Sequence, residues 1–359
     1  MPSGKCDPSC YVISEIILMP IEPSYISVVM PVFNAEKTIN EAIQSILSQT
    51  CKDFEFIIVD DGSTDSSPRI IEQWAQKDGR IISIFNDHRG IVESLNAGIE
   101  QANGKYIARM DADDISRPTR LEKQAAFLDN HPGAGLVSCL VEHLGDRNEQ
   151  EGYARYVDWI NSLTTPEEIQ LNRFIESPLA HPSVCFRSSL IQKHGGYRAG
   201  EFPEDYELWL RWLEKGTEMH KLAEVLVRWR DQEDRLSRNH PRYSSKAFYK
   251  TKAGYLARWL VQNNPYHPYI VVWGAGRTSR KRAELLTQYG IRITQYVDVD
   301  PGKTGQRIQR RPVRTPEDIP ADGTQFIVSY VGNRGVNQQI SDFLENRGYR
   351  LGKNFIFAA

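Results

Sequence analysis

Lys105-Tyr-Ile-Ala-Arg-Met-Asp-Ala-Asp-Asp114 holds the pattern that decides what this chain is. Its first part, Lys105 to Met110, is a short, largely apolar run that reads as a strand. Its second part is an acidic turn, with Asp111 and Asp113 two residues apart just beyond the strand end. Paired carboxylates in that position suit a hard divalent cation. Mn²⁺ or Mg²⁺ takes oxygen ligands and commonly shares its shell with substrate phosphates. The bland alternative is a solvated acidic turn that caps the next helix.

The same pattern lies upstream. Ile26-Ser-Val-Val-Met-Pro-Val-Phe33 reads as a buried strand, and residues 36–48 as a helix with Ile39, Ala42, Ile43, Ile46 and Leu47 on one face. Phe54 to Val59 is a second strand, ending in Asp60-Asp-Gly-Ser-Thr-Asp65, a turn that caps another helix. A strand at 81–85 and a helix at about 91–102 complete the series. Such alternation predicts a parallel sheet flanked by helices on both faces. In such sheets ligands bind beyond the carboxyl ends of the strands. Phe33-Asn34, Asp60-Asp61 and Asp111–Asp114 all lie there, so three polar clusters converge on one edge. Asp60 and Asp61 either cap a helix or accept hydrogen bonds from a base and its ribose.

Beyond residue 140 the periodicity weakens. A helix is expected near 158–163, a strand at 182–187, a helix at 204–215 with Leu208, Trp209, Trp212 and Leu213 inward, a loop at 228–245 and a helix at 246–262. At Tyr269 the α/β pattern restarts. Val271-Val-Trp-Gly-Ala-Gly-Arg277 resembles a Rossmann phosphate turn, and Asp298, 22 residues after Gly276, stands where a ribose-binding acid would. Ser279 replaces the third glycine of that fingerprint.

A chain of 359 residues implies about two domains. The divisions expected are an N-terminal extension at 1–24, a catalytic domain at 25–262 and a Rossmann-like domain at 265–359. With 40% hydrophobic and 25% charged residues the chain is an ordinary globular protein, and a net charge of −2 gives no general case for nucleic acid. The charge is uneven. From Pro265 onward there are 14 Lys/Arg against 8 Asp/Glu, a net of +6. This is a solvated basic face or a surface for an anionic ligand or acidic membrane. Five cysteines without a secretory signal read as reduced thiols in a cytoplasmic protein, free or docked peripherally at the inner face of the membrane. No residue pattern specifies an oligomeric state.

Taken together, Pro31-Val-Phe-Asn34, Val59-Asp-Asp-Gly-Ser-Thr-Asp65, Ala108-Arg-Met-Asp-Ala-Asp-Asp114 and Glu204-Asp205 resemble a family 2 glycosyltransferase over about residues 25–240. The resemblance implies a glycosyltransferase-A fold, with a mixed, mostly parallel sheet. It also implies a nucleotide-diphosphate sugar donor, by default a UDP-sugar, and inversion at the anomeric carbon. The acceptor implied is a glycan or a lipid-linked glycan, as in surface polysaccharide synthesis. By position, Pro31, Phe33 and Asp60 or Asp61 would hold base and ribose, and Asp111 would approach ribose, sugar or metal. Asp113 would ligate the metal, and Asp205 would be the catalytic base. Glu204 competes for that role or positions the acceptor. Gly196 and Tyr197 lie in what resembles the family's flexible loop beside the acceptor. His181 is a donor-side or metal-binding histidine, or a structural one, and Arg109 reaches the donor or pairs with an Asp. The family's histidine after the base is missing from Arg228–Ser237, which leaves Arg230, Arg235 or His240 as candidates for the diphosphate. Two other readings stand beside this one: an NAD(P)-dependent sugar-nucleotide oxidoreductase or isomerase built on residues 265–359, and a non-catalytic sugar-nucleotide-binding module.

Overall fold

The computed structural model describes residues 25–231, 238, 240–332 and 335–359. The expected N-terminal extension, with Cys6 and Cys10, and the candidate Arg235 lie outside them. The first half follows the expected alternation: β1 (Ile26–Val32), α1 (Ile39–Leu47), β2 (Phe54–Asp60), α2 (Ser67–Ala75), β3 (Ile81–Phe85), α3 (Ile91–Gln101) and β4 (Tyr106–Arg109). β2 is buried at every position, as a strand covered on both faces must be. β1 pairs in parallel with both β2 and β4, with Val32 opposite Asp60 and Val29 opposite Arg109. β3 extends the sheet with Phe85 opposite Asp60. The carboxyl ends that carry Phe33, Asp60 and Asp111 therefore share one edge.

After the acidic turn come β5 (Ile115–Ser116), α4 (Arg120–Asn130), β6 (Ala134–Leu144), α5 (Glu151–Ser162), α6 (Pro166–Asn172), β7 (Cys185–Arg187), α7 (Ser189–His194), α8 (Glu204–Glu214) and β8 (Glu218–Arg230). The eight strands run β3-β2-β1-β4-β7-β6-β8-β5. β7 is antiparallel to both neighbours, so the sheet is mixed rather than wholly parallel. β8 corrects the expected loop at 228–245, since the strand continues to Arg230. Its pairing with β6 shifts register in three places, which breaks the alternation of buried and exposed residues that marks a strand in sequence.

A long helix, α9 (Ser245–Asn263), leads to a second sheet made of β9 (Tyr269–Trp273), β10 (Arg292–Val297), β11 (Arg307–Ile308), β12 (Arg311–Arg314), β13 (Ile327–Ser329) and β14 (Phe355–Phe357), with α10 (Arg277–Ala283) and α11 (Val336–Glu345). Its order is β11-β12-β10-β9-β13-β14, parallel except for the β11–β12 pair. The two sheets share one apolar cluster. Tyr206 and Leu210 of α8 and Leu256 and Leu260 of α9 pack with Ile270, Val272 and Phe326.

A polar strut fixes the approach to β4. Ser27 Oγ donates to Glu55 at 2.6 Å, and Gly104 N donates to Ser27 Oγ at 2.8 Å. A Cβ on Gly104 would sit 2.5 Å from the Ser27 nitrogen. Gly104→Ala is expected to cost about 1–3 kcal/mol, the usual penalty of overpacking. Gly79→Ala, where an added Cβ meets nothing within 4 Å, serves as control in urea unfolding and should change stability by less than about 0.5 kcal/mol.

Candidate active site

The site begins with the loops after β1 and β2. Asn34 adopts a left-handed backbone (φ 49°), a conformation asparagine tolerates better than most residues. Its amide donates to Ser63 Oγ, and its Oδ1 accepts from Thr64 N, both at 2.8 Å, so the two loops are locked together. Phe33 projects from the end of β1, half exposed, and stacks on His88 with ring centroids 4.3 Å apart. Pro31 precedes it in β1, opposite Val59.

Asp60 and Asp61 are both buried but differ in what they touch. Asp61 accepts from the amides of Arg89 and Gly90, each at 2.9 Å, and pairs with His88 Nδ1 at 2.8 Å. It anchors the turn that starts α3. Both of its oxygens already accept hydrogen bonds within the protein. Asp60 gives Oδ2 to the amide of Ser63, while its buried Oδ1 has no hydrogen-bond partner among the described residues. A buried acceptor left this way is costly, and a ligand N–H or O–H would relieve it.

Side-chain oxygens of Asp111, Asp113 and Asp114 lie within 4.8 Å of one another. Carboxylates this close repel by on the order of 3 kcal/mol per pair at an effective dielectric of about 20. A divalent cation offsets that repulsion, so the donor set fits a hard metal ion. Asp114, a member of the acidic turn with no role of its own expected, is fully buried and accepts from the amide of Arg230 at 2.7 Å. Arg230 Nε donates to the Asp113 carbonyl and its Nη2 pairs with Glu41. That guanidinium ties the acidic turn to α1. His240, with Arg230 a candidate for the diphosphate, accepts from the amide of Arg242 at a helix start.

Arg109, the last residue of β4, lies buried beneath these groups and forms an ion pair with Asp111. Burial works against its charge, but Asp111 first, and Asp114 after it, hold it protonated. Its carbonyl accepts from the buried Arg120 at 2.7 Å. His181 stands outside the acidic cluster, which corrects its assignment to the metal. Its Nε2 is 2.6 Å from the Tyr197 hydroxyl. Burial, reinforced by Arg109, keeps its pKa well below the usual range and the ring neutral.

Gly195-Gly-Tyr197 is pinned rather than flexible. Arg211 donates to the carbonyls of Gly195 and Gly196, and Asn96 clamps both the amide and the carbonyl of Tyr197. Glu204 and Asp205 open α8. Glu204 is buried, with its two oxygens 2.8 and 2.6 Å from the Tyr243 hydroxyl. Burial raises its pKa. Asp205 is half-buried and accepts from its neighbour's amide at 2.7 Å. Burial, then the adjacent Glu204, raises its pKa well above the ordinary carboxylate range, while Arg109 acts the other way. The field of one guanidinium thus reaches both the acidic turn and the start of α8.

In the second sheet, Asp298 does not present itself to a ribose. It accepts from Ala275 N within the glycine turn at 2.8 Å and pairs with Lys303 at 3.3 Å. The expected cofactor acid is used to hold the turn itself.

The family described as Glycosyl transferase family 2 matches residues 27–195. EpsE of Bacillus subtilis, provisionally designated a glycosyltransferase, is 35% identical over 61% of this chain and 77% of its own length. The amylovoran biosynthesis glycosyltransferase AmsE of Erwinia amylovora is 30% identical over 59% of this chain and 78% of its own. Residues 1–349 of S. aureus TarS, solved with UDP-GlcNAc, are similar in fold, with a TM-score of 0.53 and 18% identity over 74% of this chain and 71% of that one.

The two adjacent aspartates should separate in a stability measurement. Asp61→Ala removes the acceptor for two amides and is expected to lower unfolding stability by roughly 1–3 kcal/mol. Asp60→Asn, which keeps an acceptor for Ser63, should cost less than about 1 kcal/mol by the same denaturant titration.

Proposed function

The chain belongs to glycosyl transferase family 2, and from that premise we propose that it is a metal-dependent, inverting enzyme using a nucleotide-diphosphate sugar, by family resemblance a UDP-sugar. The observation that carries this reading is the acidic cluster itself: side-chain oxygens of Asp111, Asp113 and Asp114 lie within 4.8 Å of one another, at the sheet edge that also carries Phe33 and Asp60. Asp113 and Asp111, with Asp114, would hold Mn²⁺ or Mg²⁺. When bound, that ion supplies positive charge against the departing diphosphate. The exposed Phe33–His88 stack offers a face for a nucleobase, and the unpartnered Asp60 oxygen an acceptor for a base N–H or ribose hydroxyl. Arg109 acts from below, fixing Asp111.

Asp205 serves as general base. As the acceptor oxygen forms its bond to the anomeric carbon, its proton passes to the Asp205 carboxylate. The bond from that carbon to the diphosphate breaks on the opposite side, and the diphosphate leaves with the electron pair. A base whose pKa is raised toward neutrality combines ready ionisation with useful proton affinity. The turn at Gly196 and Tyr197 flanks the acceptor. The name of AmsE supports a role in polysaccharide biosynthesis, and the family resemblance points to a glycan or lipid-linked glycan as acceptor. Among the described residues no helix is long and apolar enough to cross a membrane.

Asp113→Ala is expected to abolish metal-dependent donor hydrolysis and transfer in a folded protein. Unchanged turnover in that variant counts decisively against the site. Asp205→Asn should retain donor binding by calorimetry while transfer falls by at least about 10²-fold; collapse of donor affinity would assign Asp205 elsewhere.

The pH profile gives a separate check. Transfer requires ionised Asp205, so kcat/KM should rise with pH through an inflection above the ordinary carboxylate range. The negative charge of Glu204 holds the proton on Asp205, so Glu204→Gln should move the inflection to lower pH. An upward shift would reverse the proposed coupling.

A further inference from the structure

A cavity of about 600 Å³ lies away from the acidic cluster, between α5–α6 of the first sheet's layer and the carboxyl edge of the second sheet. Its walls include Trp159, Glu176, Tyr249, Arg282, Asn337 and Ser341. The volume is that of a small-molecule site. Its position is the one parallel sheets reserve for ligands, beyond the ends of β13 and β14.

The lining has a definite chemistry. The Arg282 guanidinium lies 4.0 Å from the centroid of the Tyr249 ring, and Lys252 Nζ lies 3.8 Å from the same centroid. Lys252 is buried and donates to the carbonyl of Ile175 at 2.9 Å. The Arg282 guanidinium and the Lys252 amine thus meet on one aromatic ring at the wall; burial pulls the pKa of Lys252 well below its ordinary value, so the charge offered to an anion is that of Arg282. The first turn of α11, a ten-residue helix, adds Asn337 and Gln338 to the lining, and a helix start favours an anion. Asn337 Oδ1 is buried without a hydrogen-bond partner among the described residues. Trp159 offers a second aromatic ring for the C–H face of a sugar, with Glu176, Asn337 and Ser341 for its hydroxyls.

We propose that this cavity is a second ligand site, separate from the donor site, that takes a phosphorylated sugar with its phosphoryl group on Arg282. A free sugar phosphate and a nucleotide carry the same chemistry, and the test separates them.

The full-length chain carrying Asp113→Ala is titrated calorimetrically in EDTA with glucose 1-phosphate, with UDP and with inorganic phosphate. At least one of the first two should bind saturably, which tells a sugar phosphate from a nucleotide. Arg282→Ala should weaken that binding by at least about tenfold, the loss expected for a charge-assisted contact. Gln338→Trp, a bulky substitution at an exposed position on the rim, should weaken it as well. If Arg282→Ala misfolds by circular dichroism, Gln338→Trp carries the test alone. The proposal is overturned if neither phosphorylated probe binds, if binding ignores the folded variants, or if inorganic phosphate binds as tightly as the sugar-bearing probes.

Discussion

The site is built over a buried positive charge. Arg109 sits at the end of a central strand with almost none of its surface in water. An ion in that position costs several kcal/mol unless it is paired and hydrogen-bonded. The pairing comes from Asp111 directly, and from Asp114 and Asp205 through the field. The dependence runs both ways. Without the guanidinium, a cluster of carboxylates would face one another beside a second acidic pair. The need to neutralise Arg109 gives the acidic turn a reason to fold back over β4 rather than extend into solvent. Arg120, buried one layer below, holds the Arg109 carbonyl and that of Val184, so the strand end has little freedom to move.

The second sheet bears on the same site through α9. Tyr255 donates to Glu207 at 2.6 Å, and Arg258 pairs with Glu214, so α9 grips α8 along its length. Tyr206 and Leu210, on the far face of α8, enter the apolar cluster that continues into the second sheet. The base role proposed for Asp205 would require its carboxylate to be held within a fraction of an ångström. The helix that carries Asp205 is clamped on one side by the catalytic layer and on the other by α9. The basic C-terminal unit is therefore part of what fixes the start of α8, whatever else it binds.

How much of this was legible in the sequence depends on the range of each interaction. β1, β2 and β4 announce themselves as apolar runs, and the carboxylates at their ends follow at once from the turn residues. The convergence of Phe33, Asp60 and Asp111 needed only the rule that parallel strands share an edge. The partners were not legible. Arg230 reaches Asp114 across 116 positions, Tyr243 meets Glu204 from a segment that reads as loop, and Asn96 clamps Tyr197 across 101. Single side chains meeting at such separations leave no periodic trace. His181 stood as a donor-side or metal candidate through the family resemblance alone, with a structural histidine as the alternative, and its burial against Tyr197 and Trp209 could not be read from the chain. Asp298 stood at the right distance for a ribose, but spacing could not tell that its acceptor capacity went to the turn beside it.

The acids come in neighbouring pairs, and the pairs divide their work. In Asp60-Asp61 the second member is spent on the α3 turn, and the first keeps a buried oxygen with no described partner. In Asp113-Asp114 the second is fully buried and accepts from Arg230, and the first is the more accessible. In Glu204-Asp205 the first is consumed by Tyr243, and the second is half-open. Adjacent side chains diverge from the backbone, so anchoring one fixes the direction of the other. An isolated carboxylate at a loop tip would be free to turn into water. Pairing it with a neighbour locked into the protein costs a second acidic residue, but it aims the first with the rigidity of the core. The recurrence of two acids side by side at each of three element ends follows from that need for aim, not from a need for more negative charge.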